Sequence, residues 1–241
     1  MTGASSGIGA ATAQALSSRG ARVLVAGSDP GRTGDVAARV DGTALVFDLA
    51  ETGAAAGLAA AARAVHGRVD VLVNNAGVGW AGSFAGMPES EIPRLVQVDL
   101  TAALELTRAL LPEMIEHGRG HVVGVGSVAG HAGGRGEAVY AACKAGLAAF
   151  TEALRQEHAD APVGFSVVIP GPVATPFFTR RGTPYGRTFP RPVPAERVAA
   201  AIVDAIVRDR AQVVVPGWLD GPIRLRGALP ELYRPLIDRF G

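Results

Sequence analysis

The sequence predicts an α/β fold: a doubly wound, mostly parallel sheet with helices on both faces. Three observations predict it. Short β-branched apolar runs alternate with longer helix-compatible stretches from one end of the chain to the other. The runs are mostly continuous in their apolarity, the pattern of strands covered on both faces. No internal repeat or low-complexity linker interrupts the 241 residues, so a single domain, 1–241, is expected.

The elements follow in order. A glycine-rich segment, Thr2–Gly9, leads into a helix near 7–19. The run RVLVA at 22–26 reads as a strand, and Asp29-Pro30 then reads as an N-cap with proline at the first helical position of a helix over 31–40. Strand ALVF (44–47), a helix over 53–66, strand VDVLV (69–73), one long helix over 89–116 and strand HVVGV (121–125) come next. A helix over 138–158, strand FSVVI (165–169), a helix over 195–209 and strand QVVV (212–215) complete the pattern. Such alternation means right-handed βαβ units, with ligands bound beyond the carboxyl ends of the strands. Two segments break it. Residues 171–194 are rich in Pro, Gly, Arg and Phe and are too long for a connector, as expected of a substrate loop. The tail 218–241 carries Ile223, Leu225, Leu229, Leu232, Leu236, Ile237 and Phe240 among arginines, and docking is expected of it rather than adsorption to a membrane.

Composition narrows the function. Hydrophobic residues are 48% of the chain, charged residues 19%, and the formal net charge is +1, which argues against a nucleic-acid surface. The one cysteine, Cys143, cannot form an internal disulfide and suits a reducing cytoplasm. No transmembrane segment and no signal peptide are legible, so a cytoplasmic location is expected. The five histidines are scattered, so no metal site is expected. The basic residues are all arginine except Lys144.

The chemistry-bearing motifs are few. In TGASSGIG the glycines allow a tight turn, close approach of backbone to a pyrophosphate, and close helix–sheet packing, with a helix N-terminus facing the phosphates. Asn74-Asn75-Ala76-Gly77 follows strand VDVLV. Tyr140 and Lys144 lie four residues apart and so share a helix face. A cation there favours the phenolate and lowers a tyrosine pKa that is otherwise about 10, which equips Tyr140 as an acid/base. Ser127 stands thirteen residues before Tyr140, at the end of strand HVVGV, where a hydroxyl can hold a substrate oxygen.

In this order and spacing the motifs resemble the short-chain dehydrogenase/reductase family, in its smaller TGxxxGxG/YxxxK branch. The resemblance runs from Thr2 to about Val215 and is weakest in the substrate loop and the tail. It implies a Rossmann domain and an NAD(P)-dependent interconversion of a secondary alcohol and a ketone by hydride transfer. Tyr140 would be the acid/base, Ser127 would orient the substrate, and Lys144 would lower the tyrosine pKa and hold the nicotinamide ribose. The resemblance places Gly3, Ser5, Ser6, Gly7, Ile8 and Gly9 at the phosphates and Asn75, Ala76 and Gly77 beside the adenine ribose. It puts Pro170, Gly171, Val173 and Thr175 over the nicotinamide, and Asp48 at the adenine, with capping of the next helix as that residue's rival role. It also implies a homodimer or homotetramer. The end of strand RVLVA reads Gly27-Ser28, without the acid that binds the ribose of NAD, while Ser28 and Arg32 suit a 2′-phosphate. NADP(H) is therefore favoured over NAD(H).

Two departures stand out. The strand that normally precedes the Thr-Gly is reduced to Met1, which would leave two unpaired edges inside the sheet; the expectation is a true start upstream, or a fragment. The family's usual Asn on the long middle helix is replaced by Asp99, which can hold a relay water or pair with Lys144 and weaken the cation's hold on Tyr140. These departures motivate a rival reading, a cofactor-binding scaffold or sensor with little turnover. For the substrate, Phe177, Phe178, Tyr185 and Phe189 suggest an apolar alcohol or ketone, while Arg180, Arg181, Arg187 and Arg191 would meet an anion or simply be solvated.

Overall fold

The computed structural model describes residues 1–231. Helix α1 (Gly7–Ser17) is followed by β1 (Leu24–Gly27), α2 (Pro30–Arg39), β2 (Thr43–Val46), α3 (Ala54–His66) and β3 (Val71–Asn74). Then come α4 (Glu91–Val96), α5 (Ala102–Glu116), β4 (Gly120–Val125), α6 (Val128–Ala132), α7 (Ala138–Glu157) and β5 (Val163–Pro170). The described chain ends with α8 (Phe177–Arg180), α9 (Ala195–Arg208), β6 (Gln212–Val215) and α10 (Asp220–Ala228). Strands β1 and β2 pair in parallel, and β3-β4-β5-β6 form a parallel four-stranded sheet.

Residues 1–4 lie in the gap between β1 and β3. Met1 N donates to Leu24 O (2.9 Å), Ala26 N to Met1 O (3.0 Å) and Ala4 N to Ala26 O (2.9 Å). On the other side Thr2 N donates to Val73 O (3.1 Å). The expectation of two open edges holds in part: β1 and β3 belong to separate sheets, and only a few bonds from residues 1–4 bridge them. This short turn-forming segment bonds to both neighbouring strands near their carboxyl ends, which is the end where the glycine-rich segment must be held.

Side chains alternate across the strands, as a sheet with two covered faces requires. Leu72, Val122 and Phe165 pack with Leu58 and Ala59 of α3 and Leu106 and Leu110 of α5. Their neighbours Val73, Val123 and Val168 point the other way, toward Val198 and Ile202 of α9. Val23 and Val25 join Ala13 of α1 with Val36 and Ala37 of α2.

The long middle helix departs from expectation. Residues 89–116 are not one α-helix: a π-helical turn over Gln97–Thr101 separates α4 from α5. A π turn inserts a residue into the helical repeat and re-aims the side chains within it, and such turns concentrate at functional sites. Asp99 sits at the centre of this one and is buried. The substrate loop is tied at its two ends by the parallel bridge Val173–Val193, by Ala174 N to Val193 O (2.8 Å) and by Val193 N to Pro172 O (2.9 Å). It is a closed surface loop with α8 inside it. In the tail, α10 rests against α6 with Ile223 and Leu225 half-buried, while Leu232, Leu236, Ile237 and Phe240 lie outside the described residues. Among the described residues no helix is long and apolar enough to cross a membrane.

Gly9 shows how tightly the start of α1 is set into the sheet. A Cβ there would fall inside the Gly3 carbonyl oxygen and 2.7 Å from Ala4 Cα, both backbone atoms that cannot swing away. Gly9→Ala is therefore expected to cost about 3 kcal/mol of unfolding free energy by overpacking. Chemical denaturation checks this, and a wild-type midpoint would contradict the packing described.

Candidate active site

A cavity of about 1390 Å³ opens along the carboxyl ends of the strands, larger than the usual range for a drug-sized ligand. Every cofactor residue expected from the sequence lines it except Gly9, whose place is in the packing under α1. Ser28, Arg32 and Asp48 stand at one end, Ser127, Tyr140 and Lys144 at the other, and the N-terminus of α1 lies between them.

Thr2 locks the glycine-rich segment to the Asn75 turn. Its hydroxyl accepts from Asn75 N and Ala76 N (3.0 Å each) and donates to Val73 O (3.3 Å). The Asn75 amide donates back to Thr2 O (2.9 Å) and Gly3 O (3.2 Å). Asn75 thus acts on the cradle rather than pointing its amide at a ligand. Asn74 performs the matching task on the other side, donating to Thr107 Oγ1 at 3.0 Å. The roles of Thr2 and Thr107, and the partner of Asn74, were missed from sequence, because each depends on a residue more than thirty positions away.

At the far end, Asp29 caps α2, accepting from Arg32 N (2.8 Å) and pairing with the Arg32 guanidinium (3.0 Å). Asp48 closes a local turn on Ala50 N (3.0 Å). It does not cap α3, whose N-cap is Gly53, so its rival role is removed. Pro170 ends β5, Gly171 N donates to Val215 O (2.7 Å), and Thr175 presents its methyl group to Gly7.

The end of the cavity that holds Ser127, Tyr140 and Lys144 is built from three elements. Ser127 caps α6, its Oγ accepting from Ala129 N (3.1 Å), which leaves the hydroxyl proton free to donate. Tyr140 lies in the first turn of α7 with Lys144 one turn on, and Lys144 Nζ is 5.7 Å from the phenol ring centroid. The ammonium does not serve the phenol alone. It pairs with Asp99 Oδ1 at 3.2 Å, with both side chains almost wholly buried (4% and 0% exposed). Asp99 Oδ2 accepts from Val78 N (3.1 Å). Gly77 makes room for the pair, since a Cβ there would stand 2.8 Å from Asp99 Oδ1 and 3.3 Å from Lys144 Nζ.

The electrostatics correct the expected lowering of the tyrosine pKa. Burial pushes the Tyr140 phenol well above its ordinary value and the Asp99 carboxylate pushes it further, while the Ser127 hydroxyl pulls only partly back. Asp99 is itself raised by burial, against the opposing pull of Lys144 and of Val78 N–H. With its cation neutralised by a carboxylate, the pocket holds a neutral phenol. Burial pushes the neighbouring Cys143 thiol up to about 11, so it is no nucleophile at neutral pH.

The aromatic residues of the substrate loop divide. Phe177 packs on Tyr140 (ring centroids 5.5 Å apart) and Phe178 on Tyr185 (5.0 Å), and all three line the cavity with Trp80, Phe84 and Met87. Phe189, expected in the pocket, instead stacks on Trp218 outside it and is 68% exposed. Arg181 pairs with Glu137, and Arg180 donates to Ser6 Oγ (3.0 Å). No group of His, Cys, Asp and Glu among the described residues could hold a metal ion.

Residues 1–185 match the sequence profile of the family described as short chain dehydrogenase. The chain is 38% identical over 223 residues to the ketoacyl reductase HetN of Nostoc sp. (strain PCC 7120), spanning 89% of this chain and 77% of that protein. It is 34% identical over 179 residues to the 3-oxoacyl-acyl-carrier-protein reductase FabG of Escherichia coli, spanning 73% and 72%. A solved short-chain dehydrogenase from Sphingobium yanoikuyae, in complex with NADPH, has a TM-score of 0.86 at 28% identity over 99% of this chain and 93% of that one. The chain belongs to the short-chain dehydrogenase family of oxidoreductases.

Proposed function

We propose that this protein is an NADPH-dependent carbonyl reductase that converts a ketone on a largely apolar substrate to a secondary alcohol. The observation that carries the reading is the neutral Tyr140 phenol beside a buried, charge-balanced Asp99–Lys144 pair. A phenol that is protonated at neutral pH is in the form that reduction requires, whereas alcohol oxidation requires the phenolate. The relatives support the direction, since both are named as reductases of oxoacyl compounds. The Sphingobium neighbour, titled as a complex with NADPH, supports the cofactor, as do Ser28 and Arg32 at the cavity's far end.

The residues present fit a dinucleotide. The cavity runs from the Ser28–Arg32 end past the N-terminus of α1 to Tyr140, and Gly7 and Thr175 close on one another where a backbone cradle is needed. Ser5, Ser6, Gly7 and Ile8 would hold the phosphates, Lys144 the nicotinamide ribose, and Thr175 with the Pro170–Val173 turn the nicotinamide itself. When bound, the reduced nicotinamide supplies the hydride. Ser127, with its proton free, donates to the substrate oxygen and stabilises charge growing there. Tyr140 Oη donates the proton that turns this oxygen into a hydroxyl. Lys144 is then the nearest cation to the phenolate left behind, until that phenolate regains a proton from solvent. Asp99 holds Lys144 in place and sets how much of its charge the phenol feels. Phe177, Trp80 and Met87 wall the substrate side and keep it apolar.

Two results test this reading. Consumption of NADPH over a panel of ketones is expected with wild type, and Tyr140→Phe should lower kcat/KM by about 10²–10⁴-fold. Wild-type turnover by that variant would remove the mechanism, and nucleotide binding without turnover on any ketone would favour the scaffold. Asp99→Asn removes a negative charge that raises the phenol pKa. The alkaline limb of the pH–rate profile for reduction should therefore move down by about one to two pH units, and oxidation of the product alcohol near neutral pH should speed up. Superimposable profiles would show that the carboxylate does not control Tyr140.

A further inference from the structure

The arginines of the substrate loop are not equivalent. Arg181 is matched, paired with Glu137 and lying over the Phe178 ring at 4.7 Å. Its neighbour Arg180 forms no ion pair among the described residues, and instead reaches out of the loop to donate to Ser6 Oγ at 3.0 Å. Ser6 is the N-cap residue of α1, yet its hydroxyl caps nothing within the helix and is engaged by Arg180. Arg32 of α2 faces the same space. Partial burial disfavours the charge on Arg180 most, the Arg32 guanidinium is near enough to disfavour it further, and Asp29 opposes both only in part. Asp29 is also the partner of Arg32, in an exposed pair that contributes little and rearranges cheaply. Two arginines and the hydroxyls of Ser6 and Ser28 therefore line one mouth of the cavity. Like charges converging on hydroxyl donors describe a site for a multiply charged anion.

Building on the reading of the cavity as a nucleotide groove, we propose that Arg180 is a cofactor-specificity residue. Together with Arg32, Ser6 and Ser28 it binds the 2′-phosphate of NADPH, and by doing so it latches the substrate loop. The second half follows from α8. This single helical turn carries Arg180 at one end and Phe177, packed on the Tyr140 ring, at the other. A phosphate that holds Arg180 also holds Phe177 as the wall of the substrate pocket. NADH, lacking the 2′-phosphate, leaves that wall held only by the contacts already present, Arg180 on Ser6 and Arg181 on Glu137.

Calorimetric titration of the full chain with NADPH and NADH, and with the fragments 2′,5′-ADP and 5′-AMP, tests the proposal. Arg180→Ala should weaken NADPH and 2′,5′-ADP by about tenfold or more, the value of one hydrogen-bonded charge, and Arg180→Lys should recover part of the loss. NADH and 5′-AMP should change by less than about twofold. In wild type, KM for the ketone should be lower with NADPH than with NADH, and Arg180→Ala should erase the difference. Equal losses for both dinucleotides would overturn the proposal, since Arg180 would then serve the diphosphate or the fold. No change for either would make it a solvated arginine. If wild type bound NADH at least as tightly as NADPH, the 2′-phosphate site would fall while the reductase reading stood. If wild type bound neither dinucleotide, the reductase reading would fall as well.

Discussion

The buried ion pair between Asp99 and Lys144 is the interaction on which the rest of the site depends. Two charges removed from water repay their desolvation only when geometry and further hydrogen bonds are good. Here three separate parts of the chain supply them. The π turn between α4 and α5 aims Asp99, the first turns of α7 carry Lys144, and the segment after β3 contributes Val78 N–H and the side-chain-free Gly77. Each part is constrained because the others are. Moving one would leave a charge buried without a partner, a change that typically costs 3–5 kcal/mol. The pair therefore fixes where α7 sits against the sheet and, through α7, where Tyr140 stands.

The same pair sets the chemistry. A lone ammonium one turn from a phenol would stabilise the phenolate, and the site would lean toward taking protons. A carboxylate 3.2 Å from that ammonium cancels much of the field at the phenol, and burial does the rest. What remains is a protonated phenol within hydrogen-bond reach of Ser127, whose proton is not used in the bond from Ala129 N. On the proposed reading, Asp99 in this position favours the protonated phenol that reduction requires. The substrate loop completes the pocket by bringing Phe177 against Tyr140 and closing its two ends on the Val173–Val193 bridge.

Much of this was legible in the sequence, for reasons particular to certain residues. The strands could be found because each is covered on both faces, so their apolarity is continuous and local. Tyr140 and Lys144 could be paired because a helix places i and i+4 together whatever surrounds them. The hidden parts are those that depend on distant partners. The π turn leaves no composition signal, so 89–116 reads as one helix. The lock formed by Thr2, Asn75 and Ala76 joins residues more than seventy positions apart. Phe189 and Phe177 are the same residue type in the same loop, and only the fold sends one to Trp218 and the other to Tyr140. The tyrosine pKa was expected to fall because the sequence displays the cation of Lys144; that Asp99 could pair with it was legible, but not which of its two roles Asp99 takes nor how deeply the phenol is buried. The short N-terminal segment announced a break between β1 and β3, which the two separate sheets show, but not the bonds that Met1, Thr2 and Ala4 make to Leu24, Ala26 and Val73 across it.

The protonation state of Tyr140 can be read without turnover. The chain has three tyrosines, so ultraviolet difference titration of wild type against Tyr140→Phe isolates the ionisation of this phenol. The account predicts no phenolate assignable to Tyr140 from neutral pH up to about pH 10, the ordinary value for tyrosine. A phenolate signal present in wild type near neutral pH, and missing from the phenylalanine variant, would mean that Lys144 governs the phenol after all and that Asp99 does not restrain it.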